Sequence, residues 1–100
     1  MMHVVVEDER GKVVEELTGS ADGLNDLLAR CSGEEFVLLP FVDPYGDTVF
    51  NRLQIPSLIR ELRRLRETTT PRELDLLDRL DRLVNRCQED VHLYLRFLGD

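Results

Sequence analysis

The strongest constraint on this chain is a helix start written over four residues, Thr70-Pro71-Arg72-Glu73. Threonine at the N-cap and glutamate three residues later satisfy each other's exposed backbone groups. Proline at the first helical position gives up an N–H that has no partner there. Leu74, Leu77, Leu80, Leu83 or Val84, and Cys87 then recur at helical spacing, so this helix needs an apolar surface to lie on. A second helix is expected from Pro56, with Leu58, Ile59, Leu62 and Leu65 on one stripe, and Thr68-Thr69-Thr70 separates the two. Two adjacent amphipathic helices leave the rest of the chain to supply what they cover.

The rest reads mainly as strand. Met2 to Glu7 and Lys12 to Leu17 are β-branched runs joined by Asp8-Glu9-Arg10-Gly11, the pattern of a hairpin. After Thr18-Gly19-Ser20-Ala21, Asp22 can cap a short helix carrying Leu24, Leu27, Leu28 and Cys31, with Gly33 as its stop. Phe36 to Val42 is apolar at consecutive positions, which predicts a strand covered on both faces. Pro40 within it removes a ladder donor and points to an edge or a bulge. Asp43-Pro44-Tyr45-Gly46-Asp47 is a turn, and Thr48 to Leu53 predicts the return strand of a second hairpin. In the last strand, Val91 to Leu98, Val91, Leu93, Leu95 and Phe97 alternate with His92, Tyr94 and Arg96. The expected fold is a single α+β domain over residues 1–100: an antiparallel or mixed sheet of about five strands with three helices in a single layer, in the order ββαββααβ.

Charge is unevenly placed. Residues 1–50 hold eleven acids against three bases, a balance of −8, while residues 51–100 hold nine against ten, giving the net −7. An acidic surface repels nucleic-acid phosphates and anionic lipid and speeds encounter with a basic protein, so neither nucleic acid nor membrane is expected as a partner. No apolar run approaches the length of about 20 residues that crosses a bilayer. The start, Met1 to Asp8, has no positive segment and turns acidic at Glu7, unlike a signal peptide. Cys31 and Cys87 lie in amphipathic stretches without paired spacing and read as reduced, buried thiols. These features together predict a cytoplasmic protein.

Few residues point to chemistry. Asp43 and Asp47 with Tyr45 form the densest polar cluster. Two carboxylates four apart can hold a cation or share a proton, but aspartate and glycine are also what a tight turn requires. Asn51, Arg52 and Gln54 continue the cluster, and Arg52 can pair with Asp43 or Asp47 across the expected hairpin. His3 and His92 would approach each other if the first and last strands were neighbours, yet two histidines are too few for a zinc site. Neither a Gly-x-Ser-x-Gly elbow nor a glycine-rich phosphate loop is present. Arg60, Arg63, Arg64 and Arg66 are diluted by Glu61 and Glu67 and read as a solvated helix face. No metal, cofactor or catalytic residue is therefore expected.

One feature favours recognition of another protein. If Val91, Leu93, Leu95 and Phe97 face the helices, then His92, Tyr94 and Arg96 face the other way. There they would lie beside either Leu39 and Phe41 or Leu38 and Val42 of the doubly apolar strand. Such a mixture has the composition of an interface.

The stretch Asp43-Pro44-Tyr45-Gly46-Asp47-Thr48-Val49-Phe50-Asn51-Arg52 and the ending His92-Leu93-Tyr94-Leu95-Arg96-Phe97-Leu98-Gly99-Asp100 resemble a set of short, uncharacterised bacterial proteins with the same kinds of turn and C-terminal strand. The resemblance covers about a fifth of the chain and implies no particular activity. Small size and acidity are shared with bacterial antitoxins and immunity proteins, which bind and block a toxin.

The expectation is thus a non-enzymatic protein-binding module, an immunity-type or adaptor protein, anchored by Tyr45, Arg52, His92, Tyr94 and Arg96. Two alternatives stand beside it: a small enzyme or ligand-binding domain using Asp43, Asp47 and His92 in a cleft, and a homo-oligomeric structural subunit.

Overall fold

The computed structural model describes residues 2–99; Met1, and Asp100 at the end of the C-terminal motif, lie outside them. Among the described residues there are four strands and three α-helices: β1 (His3–Glu7), β2 (Val13–Glu16), α1 (Leu24–Ala29), β3 (Asp47–Phe50), α2 (Ile55–Arg66), α3 (Pro71–Cys87) and β4 (Tyr94–Leu98). The sheet is antiparallel throughout, in the order β2-β1-β4-β3. The class is α+β, as expected, with four strands rather than five.

The first hairpin forms where it was expected. Asp8 accepts the N–H groups of Arg10 and Lys12, both at 2.9 Å, and Gly11 takes the positive φ that closes the loop. The Lys12 N–H, with other bonds and charges nearby, holds the Asp8 carboxyl below the usual carboxylate range. Helix α1 departs from expectation at its start. Gly23, with φ of 90°, is the N-cap, and Asp22 makes no capping bond.

The largest departure is at Phe36 to Val42, which is no strand. It bends and then forms a single 3-10 turn, Leu39–Phe41. The second hairpin therefore does not exist. β3 ends at Phe50, Asn51 to Gln54 form a turn into α2, and β3 pairs with β4 instead. The cause is Glu61, a carboxylate on the core-facing stripe of α2 that is 3% exposed. It accepts the N–H groups of Val37 (3.1 Å), Leu38 (3.0 Å) and Leu39 (3.0 Å). Three donors that a strand would spend on its neighbours are thus turned inward.

One core unites both layers. Val4, Val6, Phe50, Leu95 and Phe97 from alternate strand positions meet the leucines of all three helices. Phe50 and Phe97 pack edge to face at 6.0 Å. On α3 the buried residues are Leu76, Leu77, Leu80, Leu83, Val84 and Cys87, while the expected Leu74 is exposed. Arg66 ties α2 to α3 through Asp78 at 2.7 Å and Asp81 at 2.5 Å.

The start of α3 is the one the sequence announced. Thr70 and Glu73 form the reciprocal capping box, the Thr70 N–H reaching Glu73 Oε1 at 3.1 Å. The same carboxylate receives Arg30 at 2.7 Å, so the cap also anchors the chain just beyond α1. The hydrogen bond from the Arg30 side chain first, and then that from the Thr70 N–H, hold the Glu73 carboxyl below its ordinary range. Thr70→Ala is expected to lower stability by about 1 kcal/mol. Equilibrium denaturation checks this, and an unmoved midpoint would mean that the cap contributes nothing.

Candidate functional site

Pairing in the sheet decides which side chains share its outer face. Val5 stands opposite Arg96 on β4, and Arg96 opposite Val49 on β3, so these three form one cross-strand row. Glu7 opposite Tyr94 forms the next row, and His3, Leu98 and Asp47 the row beyond Arg96. These residues alternate with those that enter the core, so they face away from the helices.

Arg96 is the centre of this face. Its Nε lies 3.2 Å from Glu7 Oε1 and a terminal nitrogen lies 3.8 Å from Asp47 Oδ2. The Glu7 contact has the distance of an ion pair, but its angle does not make a hydrogen bond, and Nε is buried without one. The ion pair is therefore a charge contact rather than a directed bond. A hollow of about 260 Å³ opens here, lined by Glu7, Asp8, Glu9, Val49, Tyr94 and Arg96. Its polar wall is acidic apart from Arg96, and Tyr94 and Val49 supply its broad apolar contact. Val5 is only 5% exposed although it stands outside the helix-packed core.

The expected anchors fall in three places. Tyr94 and Arg96 line the sheet-face hollow, and His92 joins them at its rim, where Nδ1 lies 3.1 Å from Glu9 Oε2. His92 precedes β4 rather than lying in it, and its pair with Glu9 is ionic when the imidazole is protonated. Tyr45 projects from the Asp43–Asp47 turn into a different hollow, beside α1. Arg52 lies in the turn before α2 and borders a third, with Leu53, Pro56 and Gln88. Leu38, Leu39, Phe41 and Val42, expected on the second sheet face, are not in the sheet at all.

The turn acids are occupied locally. Asp43 Oδ1 accepts the Tyr45 N–H at 2.8 Å, and the Asp43 N–H donates to the Thr48 hydroxyl at 2.9 Å. Asp47 faces Arg96, whereas the sequence offered Asp43 or Asp47 as the partner of Arg52. His92 and Asp47 sit at opposite ends of β4, on the order of 20 Å apart along the strand. His3 pairs with Leu98 and is likewise at the far end of the sheet from His92, so the two histidines do not approach.

Among the described residues no group of three or more His, Cys, Asp or Glu side chains is placed to hold a metal ion. Both cysteines are free and buried, and burial pushes each thiol up to about 11. For Cys31 the negative Glu61 adds to that rise.

Sequence reasoning missed Glu7, Glu9 and Val49 on this face. The signal for Glu7 was present, since it falls two residues from Val5, but the unbroken Val4-Val5-Val6 run hid which valine faced outward. Set against known proteins, the chain matches no protein-family model, no curated protein and no solved structure.

Proposed function

We propose that this domain is a protein-binding module of the immunity or adaptor type, meeting another protein through the outer face of its sheet. The observation that carries the reading is the Arg96 centre. An arginine is held between Glu7 and Asp47, with Tyr94 and Val49 beside it and an acidic rim around it. Arginine and tyrosine are favoured interface anchors because each joins a wide contact area to directional bonding. The acidic rim steers a basic partner and repels a nucleic acid.

Removing Arg96 alone would strand the nearly buried Glu7 and cost stability for reasons unrelated to binding. Tyr94→Ala with Val49→Ser is therefore the cleaner test. Affinity for the products of adjacent reading frames, and self-association in sedimentation, are measured for the wild type and this double variant. A loss of about thirty-fold in affinity with an unchanged melting temperature supports the proposal. Association that survives the double substitution defeats it. Sedimentation separates a partner of different sequence from a second copy of this chain, the homo-oligomeric alternative.

A further inference from the structure

The segment from Phe36 to Gly46 has little regular structure but is tied down at both ends. Glu61 holds the N–H groups of Val37, Leu38 and Leu39. Asp43 and Thr48 fix the following turn, and the Gly99 N–H donates to the Gly46 carbonyl at 2.8 Å. Two aromatic side chains stand out from this held segment, Phe41 at 76% exposure and Tyr45 at 82%. Beside Tyr45, Pro40, Val42 and Pro44 form one wall of a hollow of about 360 Å³, and Leu28 and Ala29 of α1 form the other; Phe41 stands between the wall residues Pro40 and Val42 in the chain.

Asn25 borders this hollow and also a second one, of about 300 Å³, lined by Asp22 and Asp26. An apolar hollow and an acidic hollow are thus joined along one side of α1. Among the described residues no basic side chain lines either. Arg30, the base next along the chain, is held by Glu73.

We infer that this groove docks a segment of another protein that carries a bulky apolar side chain next to an arginine or lysine. The apolar group fills the hollow between α1 and Tyr45, and the cation lies against Asp22 and Asp26. The apolar hollow is of a size that takes one or two large side chains. Covering Tyr45 and the apolar walls of the hollow removes apolar surface that water otherwise meets. Because the segment is already fixed by Glu61 and Gly99, little ordering opposes binding. Charge selects the occupant: the acids favour a basic segment, while a second copy of a chain with net charge −7 is repelled at long range. The inference deepens the protein-binding reading and rests on it, but it places a contact on a surface separate from the Tyr94 and Arg96 face.

The test pans a random peptide library displayed on phage against the intact protein, with a Phe41→Ser/Tyr45→Ser variant as counter-selection. Enriched peptides are synthesised and their sites mapped by backbone amide shifts in isotope-labelled protein. The expected peptides carry Phe, Leu or Trp within a few positions of Arg or Lys and shift the amides of Asn25, Leu28, Phe41 and Tyr45. Their affinity is expected to fall by about ten-fold or more in the double variant. In Asp22→Asn/Asp26→Asn it falls by about three- to five-fold at low salt, with the difference shrinking as salt is raised. The replaced side chains are exposed, so thermal melts of both variants are expected to match the wild type. Should the aromatic variant melt early, the aspartate variant and the shift map still decide the question.

Peptides without a basic bias, or an absence of enrichment, overturn the inference. Peptides that shift only the Tyr94 and Arg96 amides overturn it as well but leave the protein-binding reading standing. A dimer that Tyr45→Ser dissolves assigns the groove to a second copy and also overturns it. If the inferred peptides bind here while Tyr94→Ala with Val49→Ser leaves partner affinity intact, the sheet-face proposal fails alone.

Discussion

Glu61→Ala is expected to destabilise the domain by about 3–5 kcal/mol, a large share of the roughly 5–15 kcal/mol that holds most domains folded. The side chain is a carboxylate inside an apolar core, packed among Leu58, Leu62 and Leu65 of its own helix. It is tolerated there because Val37, Leu38 and Leu39 direct their N–H groups at its two oxygens. Truncation removes the acceptor for all three donors at once, and Leu39 at least is too buried to turn to water. Glu61→Gln keeps the shape but offers one good acceptor oxygen instead of two, so its expected cost is smaller, about 2 kcal/mol. Chemical denaturation gives both values, and hydrogen exchange gives the location. The amides of Leu38 and Leu39 are expected to lose protection in either variant before the sheet does. A cost under about 1 kcal/mol for the alanine variant, with those amides still protected, would show that the bonds are dispensable.

That carboxylate also marks the boundary of what the sequence made legible. Elements specified by neighbours in the chain were readable: the capping box at Thr70 and Glu73, the stripe on α3, the first hairpin and the alternation of Leu93, Leu95 and Phe97, although Val91, expected in the same row, is exposed before β4 begins. Phe36 to Val42 was misread because the residue that shapes it lies more than twenty positions away. A run of apolar residues predicts burial, yet Val37 is 58% exposed and Phe41 still more so. The warning sign was Glu61 itself, a charged residue spaced three from Leu58 and four from Leu65, on the face that had to be buried.

The sheet face was legible in part, since the row of Tyr94 and Arg96 followed from strand period alone. Its acidic half depended on β1 pairing with β4, a contact across almost the whole chain that no local pattern specifies. The failure of Arg52 to meet Asp47 has the same origin. Once Phe36 to Val42 was no longer a strand, β3 took β4 as its neighbour, and Arg96, two residues before the Leu98 that stands opposite Asp47, reaches the Asp47 carboxylate.

Gly99→Ala is expected to cost about 2–3 kcal/mol, by a mechanism that joins the two stretches on which the resemblance rested. A Cβ on Gly99 would lie 2.6 Å from the Gly46 nitrogen and oxygen and 2.7 Å from the Asp43 carbonyl. All three are backbone atoms of a turn held by its own hydrogen bonds, so they cannot swing aside as a side chain would. The methyl group must therefore part the end of β4 from the turn. That breaks the 2.8 Å bond from the Gly99 N–H to the Gly46 carbonyl and loosens the neighbouring Asp47 and Leu98 pair. Gly46→Ala is the control. Its added Cβ meets only the Asp43 carboxylate, at 2.7 Å, and a rotation about the Asp43 side chain relieves that clash at the cost of one bond to Tyr45. Denaturation midpoints should fall in the order wild type, Gly46→Ala, Gly99→Ala. Equal stability of Gly99→Ala and wild type would mean that the turn and the terminal strand fold without seating on each other.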